Sequence, residues 1–97
     1  MSETVRQKII AALEEGECTA KEISGLIGIA EREVYEHLEH IRKTVQHKNA
    51  HFVIIPARCL HCDYVFSKRD KLKKPSKCPA CRGTFIEEPL YRIAGKI

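Results

Sequence analysis

Apolar side chains recur every three or four residues along the first half of the chain, which is the spacing of one face of an α-helix. The first series predicts a helix capped by Ser2 and closed by Gly16, since glycine readily takes the left-handed conformation at a helix end. The second series follows Thr19, whose hydroxyl and the Glu22 carboxylate can each accept the other residue's backbone N–H. The apolar positions of the predicted helices are Val5, Ile9, Ile10 and Leu13, then Ile23, Leu26 and Ile27, then Val34, Leu38, Ile41 and Val45.

A glycine turn separates the second and third predicted helices within the stretch TAKEISGLIGIAEREVYEHLEHI. Gly28 can take the positive φ that a sharp turn requires, and a short helix, a glycine turn and a longer helix are typical of a helix-turn-helix unit. Farther along, the β-branched and aromatic stretches HFVIIPA and LYRIAG predict two strands. The predicted fold class is therefore α+β, a winged helix-turn-helix with three helices and a two-stranded wing.

Two Cys-x-x-Cys pairs lie between the predicted strands, Cys59 with Cys62 and Cys78 with Cys81. Two such turns, fifteen residues apart, can place four sulfur atoms tetrahedrally around one metal ion, although free thiols or disulfides are the alternatives. Zn²⁺ is the predicted occupant because a closed four-thiolate site is typical of structural zinc, with an iron-loaded electron carrier as the rival interpretation. Because cysteine fills every ligand position, the sequence predicts no enzyme activity.

The segment around the cysteines holds too little apolar material to fold without a metal ion. Its apolar side chains are Leu60, Tyr64, Val65, Phe66, Leu72, Phe85 and Ile86. Zinc binding is expected to supply the missing stability, on the order of 10 to 16 kcal/mol in small finger peptides. Backbone amides in each turn are expected to donate to the thiolates, and we expect Gly83 to take a backbone angle that other residues avoid.

Charge is distributed unevenly along the 97 residues, whose 43% hydrophobic content is enough for one small domain. Residues 1–50 carry seven Lys or Arg against nine Glu, whereas residues 58–83 carry eight against two acidic residues, a local charge of +6 in a chain of +4. No apolar run is long enough to cross a bilayer, and the N-terminus lacks the order of a secretory signal. The sequence therefore predicts a cytoplasmic protein.

These patterns divide the chain into a winged-helix body (residues 1–57), a zinc ribbon inserted in the wing (58–83) and a returning wing strand (84–97). The stretches TAKEISGLIGIAEREVYEHL, CLHC and CPAC resemble those of small archaeal predicted transcription regulators, in which a rubredoxin-like zinc ribbon is fused into a winged helix. The resemblance covers nearly the whole chain. It implies DNA-binding regulation, with the ribbon as a structural or interaction element.

Two stretches of the chain are predicted to contact DNA. The start of the third helix would enter the major groove, where Arg32 and Tyr35 are candidate contacts among glutamates that repel phosphate. The candidate phosphate contacts between the cysteine pairs are Lys68, Arg69, Lys71, Lys73, Lys74 and Lys77. A solvated charged surface is the alternative for both stretches.

Two classes of partner follow from these surfaces. The first is double-stranded DNA, bound by a transcriptional regulator. The second is a protein of the transcription machinery, bound by an interaction module that does not touch DNA directly. The strand FVIIP is predicted to belong to the core, although an unpaired edge there could support a homodimer. Neither a membrane nor a small-molecule substrate is indicated.

Overall fold

The computed structural model describes residues 4–67 and 72–95 of the chain. Its elements are α1 (Val5–Glu15), α2 (Ala20–Ile27), α3 (Glu31–Val45), β1 (Ala50–Ile55) and β2 (Leu90–Gly95). The predicted α+β content of three helices followed by two strands is confirmed. β1 and β2 pair antiparallel, and residues 56–89, called the ribbon below, connect them. No helix within the described ranges combines the length and apolar character needed to cross a membrane.

The start of α1 differs from the prediction. The cap is Thr4, whose side-chain oxygen accepts from the Gln7 N–H at 3.1 Å while Gln7 Oε1 accepts from the Thr4 N–H at 3.0 Å. The prediction of Ser2 as the cap is wrong, because Thr4 has a reciprocal partner three residues on, whereas Ser2 lies outside the described residues and is followed at that distance by a valine. Gly16 is extended at φ 178°, not left-handed, because the chain leaves α1 directly into an extended stretch.

Both ends of α2 follow the predictions made from the sequence. The Thr19 N–H donates to Glu22 Oε1 at 2.9 Å and the Glu22 N–H to Thr19 Oγ1 at 3.0 Å, so the predicted reciprocal cap is confirmed. Gly28 has φ 84°, the left-handed conformation expected of it. Its N–H donates to the Ser24 carbonyl at 2.9 Å, and this closes the last turn of α2 before α3 begins.

A single apolar core joins the helices to the sheet, and we call this part of the molecule the body. The predicted stripe on α3 is confirmed, since all of its members are at most 1% exposed: Val34, Leu38, Ile41 and Val45. The other buried members of this core are Ile9, Leu13, Ala20, Ile23, Ala50, Leu72, Tyr91 and Ile93. A separate and smaller cluster lies within the ribbon and consists of Ala57, Cys59, Phe66, Cys78 and Ile86.

Leu72 belongs to the core of the body although it comes from the middle of the ribbon. Its side chain is 3% exposed, and its carbonyl accepts a hydrogen bond from the hydroxyl of Tyr91 on β2. The assignment of Leu72 to the apolar material of the ribbon is therefore wrong, because the nearest apolar surface is that of the body. The ribbon is consequently fixed to the body at a point between its two cysteine pairs as well as at its ends.

The edge of β2 that faces away from β1 pairs with the link between α1 and α2 at a single residue, Cys18. The Cys18 N–H donates to the Tyr91 carbonyl at 2.9 Å, and the Tyr91 N–H donates to the Cys18 carbonyl at 2.8 Å. The short link between α1 and α2 therefore lies against β2 on the side away from β1. This pairing explains the extended backbone at Gly16, because the chain must straighten before it reaches the sheet.

Candidate metal centre

The two cysteine pairs occupy turns with the same hydrogen-bond pattern. In the first turn the Asp63 N–H donates to the Cys59 carbonyl at 2.9 Å, and the Cys59 N–H donates to the Tyr64 carbonyl at 2.8 Å. In the second turn the matching bonds are Arg82 N–H to the Cys78 carbonyl at 2.8 Å and Cys78 N–H to the Gly83 carbonyl at 2.9 Å. Each turn thus closes around its first cysteine, and this fixes the direction in which both sulfur atoms of the pair point.

In the second turn the unusual backbone angle falls one residue earlier than predicted. Asp63 and Arg82, at equivalent positions, have φ values of 65° and 61°, and Gly83 is not among the described residues with positive φ. The expectation for Gly83 is wrong, because glycine is needed here to avoid a side chain that would crowd the sulfur of Cys81. A Cβ atom at this position would lie 3.2 Å from Cys81 Sγ, whereas the bare backbone lets the Gly83 N–H donate to that sulfur at 3.4 Å.

The four sulfur atoms lie close enough together to share one ion. Every pair of them is within 4.8 Å, and two of the separations, Cys59 to Cys81 and Cys62 to Cys78, are 3.6 Å. A regular tetrahedron with metal–sulfur bonds of about 2.3 Å places its sulfur atoms about 3.8 Å apart. The observed separations therefore fit the ligand shell of one tetrahedral ion, and Cys59, Cys62, Cys78 and Cys81 are the residues that would hold it.

The ionisation of the cysteines also favours a bound cation. Burial opposes ionisation of Cys59, but the backbone N–H groups of Cys62 and His61 outweigh it and lower the pKa of Cys59 to about 7. For Cys62 the Tyr64 N–H lowers the pKa, yet the partial loss of hydration beside the other sulfur atoms and the hydrogen bonds with them raise the pKa to about 12. Without a metal ion Cys59 and Cys62 would therefore differ in protonation near neutral pH, and a divalent cation is what allows both to be ionised together.

The environment of the site is typical of a structural centre. Cys59 and Cys78 are fully buried, whereas Cys62 is exposed and Cys81 is intermediate. The predicted donation of backbone amides to sulfur is confirmed at Cys81 by the Gly83 N–H. Among residues 4–67 and 72–95, these four cysteines form the only group of three or more potential ligands whose atoms lie this close together.

The candidate DNA contacts fall into three groups. Lys68, Arg69 and Lys71 lie outside the described residues. Lys73, Lys74, Lys77 and Arg32 are exposed, with Arg32 in the first turn of α3. Tyr35 is half-buried instead, because the described end of the lysine-rich stretch, residues 72–77 (the lysine segment below), packs beside it.

The contact at Tyr35 joins α3 to the lysine segment. Tyr35 and Lys74 line one cleft. Burial raises the pKa of Tyr35 above its usual value, and the nearby backbone N–H of Lys74 offsets part of that rise. Lys21 on α2, Glu31 on α3 and Glu88 line the same cleft. Sequence reasoning missed this contact, since no local pattern connects a helix to a loop almost forty residues away.

Comparison with known families assigns both halves of the chain. The model described as PF0610-like, N-terminal, matches residues 4–53, and the model of the PF0610 rubredoxin-like zinc β-ribbon domain matches residues 56–96. The predicted zinc ribbon is thereby confirmed, and together with the clustered sulfur atoms it is consistent with one Zn²⁺ ion. The matched zinc-ribbon domain is C-terminal and is not an insertion in the wing, because its range includes β2, which the sequence assigns to the wing. The word ribbon is kept here for residues 56–89.

The chain is also similar to a solved structure over nearly its whole length. The solution NMR structure of protein PF0610 from Pyrococcus furiosus is 32% identical, with a TM-score of 0.80. The similarity covers 99% of this chain and 93% of that one. A search of curated proteins found no match.

Proposed function

The chain belongs to the PF0610-like family, and from that premise we propose that it is a DNA-binding transcription regulator with a winged helix-turn-helix body, a structural zinc site and no catalytic activity. The pairing of Cys18 with Tyr91 supports the winged-helix arrangement. It adds a short third strand, supplied by the link between the first two helices, to the antiparallel pair of β1 and β2. The ribbon then occupies the position of the wing, beside the helix that would approach the major groove.

The observation that carries the proposal is the contact between Lys74 and Tyr35. It holds the exposed ammonium groups of the lysine segment next to the first turn of α3, where a winged helix meets the phosphate backbone. Glu31 and Glu33 in that turn would repel phosphate, so the cations of the segment must supply the attraction. Arg32 is the exposed side chain in the same turn that could reach a base edge.

Fluorescence anisotropy of a labelled duplex tests this proposal. We expect the wild type to bind random duplex with an affinity that falls steeply as salt rises, because Lys and Arg displace counterions from phosphate. Replacement of both Lys73 and Lys74 by Glu should abolish most of this binding, whereas Lys8→Glu combined with Lys48→Glu changes the charge equally on exposed sites elsewhere and should retain more of it. Absence of duplex binding by the zinc-loaded wild type would contradict the proposal.

The role of α3 is tested by Arg32→Ala in the same assay. A loss of affinity that depends on the base sequence would make α3 a reader of bases, at about 1 to 3 kcal/mol for one arginine contact. A loss that is equal for all sequences would make Arg32 a phosphate contact. Unchanged binding would leave recognition to the lysine segment alone.

A second candidate function is a protein-interaction module of the transcription machinery. The half-buried Tyr35 and the acidic first turn of α3 favour it, because both reduce the ability of this helix to enter a DNA groove. This function predicts no duplex binding near physiological salt and recovery of a specific partner. A rubredoxin-like electron carrier would instead purify as a red protein that bleaches reversibly on reduction.

A further inference from the structure

The ribbon contains a small antiparallel sheet with two different faces. Three extended stretches, 57–60, 64–66 and 85–87, are joined by pairing of Arg58 with Val65 and of Cys59 with Ile86. Their hydrogen bonds include Phe66 N–H to the Ala57 carbonyl at 3.0 Å and Leu60 N–H to the Phe85 carbonyl at 2.9 Å. Because side chains alternate between the faces of a sheet, this register divides the three stretches into two sets.

The first face of this sheet is the interior of the ribbon. It carries Ala57, Cys59, Phe66 and Ile86, all of which belong to the buried ribbon cluster. The second face, called the outer face below, carries Arg58, Leu60, Val65, Phe85 and Glu87, all of which are exposed. Tyr64 also falls on the first face, packed against Phe66, but it lies at the rim and is 40% exposed. The burial of the other residues follows the alternation that the register requires.

The outer face is unusually apolar for a surface. Leu60 is 43% exposed, Val65 46% and Phe85 70%. Only five large apolar side chains are exposed among the described residues, and these three share one face of a sheet. Apolar side chains scattered singly over a surface need no explanation, whereas a group on one face indicates an interaction site.

The charges on the outer face identify the kind of partner. Arg58 and Glu87 lie between the apolar side chains, with Arg58 Nε 3.6 Å from Glu87 Oε2, and their side chains are 49% and 52% exposed. One cation and one anion make this face neutral, although residues 58–83 as a whole carry +6. A face that carries one cation beside one anion is complementary to a second copy of itself turned by a two-fold axis, in which each charge meets the opposite one.

We infer that the outer face is the surface through which two copies of this chain associate. A two-fold axis brings the same patch of both copies together, so Arg58 of each copy can face Glu87 of the other. The exchange replaces the pair within each copy by a pair across the interface, so both charges stay paired while Leu60, Val65 and Phe85 of both copies leave water. This inference goes beyond the proposed function and does not depend on DNA binding.

Charge reversal combined with mixing tests the interface. In the proposed two-fold interface, position 58 of each copy faces position 87 of the other. Arg58→Glu therefore creates two Glu–Glu contacts across the interface, and Glu87→Arg creates two Arg–Arg contacts. Each variant alone should dimerise with a Kd raised about tenfold or more. An equal mixture of the two variants should recover a heterodimer, because the glutamate introduced at position 58 of one chain then meets the arginine introduced at position 87 of the other. Recovery on mixing cannot arise from misfolding of either variant.

Sedimentation velocity of the zinc-loaded full chain over a wide concentration range is the measurement. Lys8→Glu, on the exposed surface of α1, is the control for a charge reversal elsewhere and should dimerise as the wild type does. Phe85→Ser should also weaken the dimer, since it removes the most exposed apolar side chain of the face. A wild type that stays monomeric throughout, or charge variants that do not recover on mixing, would overturn the inference and leave the face to a different partner.

Discussion

The body and the ribbon are stabilised by different kinds of interaction. The body buries a core of twelve residues drawn from all three helices, both strands and the ribbon, and none of its members is a cysteine of the metal site. The ribbon buries five residues, of which two are cysteines of the metal site. Hydrophobic burial at about 25 cal/mol per Å² can hold the body together, whereas the ribbon depends on its ion. The difference indicates that one chain contains a unit that folds by itself and a unit that folds on zinc.

Loss of a buried cysteine should separate the two regions most strongly. Cys78→Ala removes one of four ligands, so we expect zinc to be lost and the ribbon to unfold, a change on the order of 10 kcal/mol for that region. Cys18→Ala is the matched control, because Cys18 is a free thiol in the body, outside the sulfur cluster. Zinc stoichiometry by native mass spectrometry and an NMR amide spectrum measure both. Retention of zinc and ribbon order in Cys78→Ala would contradict the assignment.

Acidification should weaken the ribbon while leaving the body folded. The pKa of Cys59 is lowered to about 7 and that of Cys62 is raised to about 12, so protons compete with the metal for these sulfur atoms throughout the range below neutrality. Zinc affinity should therefore rise with pH and fall as acid is added. We expect a fall of at least about tenfold per pH unit. Competition with a chromogenic chelator at several pH values measures this slope, and a flat profile would exclude thiolate ligation.

Truncation of a side chain in the core of the body should destabilise the body and leave the zinc site intact. Leu38→Ala removes a fully buried side chain of α3 and should lower the free energy of unfolding of the body by about 2 to 5 kcal/mol. Leu26→Ala is the control, because Leu26 on α2 is 69% exposed and its loss should change stability by about 0.5 kcal/mol or less. Urea denaturation followed by helical circular dichroism measures both variants. Equal effects would show that the body core is assigned incorrectly.

The connection between the two regions can be weakened without removing either core. Tyr91→Phe keeps the buried ring but removes the hydroxyl that donates to the Leu72 carbonyl, and we expect a loss of about 1 to 2 kcal/mol. Zinc content should be unchanged, because the cysteines keep their turns. Hydrogen exchange should become faster in the lysine segment. Tyr64→Phe, in which the altered ring is 40% exposed, is the control and should leave that exchange unchanged.

Local patterns identified the elements of the fold, and long-range contacts determined the rest. The spacing of Val34, Leu38, Ile41 and Val45 and the pairing of the cysteines were sufficient to predict α3 and the metal site, because each pattern lies within one short stretch. The cap at Thr4 was also visible in the sequence as a T-x-x-Q stretch, which competes successfully with Ser2.

The place of Leu72 could not be predicted in the same way. It lies between the cysteine pairs and would be expected to pack with them, yet it enters the core of the body, where Tyr91 binds its carbonyl. The half-burial of Tyr35 has the same cause, since it depends on where the lysine segment passes over α3. The positive φ at Arg82 depends on closure of the second turn around Cys78. At Gly83 the requirement is different, because a side chain there would crowd Cys81 Sγ.

Hydrogen exchange on zinc-loaded and zinc-free wild type compares the two regions most directly. We expect removal of zinc by a chelator to leave the amides of α1, α2 and α3 protected, and to abolish protection in the two cysteine turns, at Asp63 and Arg82. Return of zinc should restore the protection of the amides in both turns. A zinc-free chain whose turns stay as protected as those of the loaded protein would contradict the claim that the ribbon folds on its metal ion.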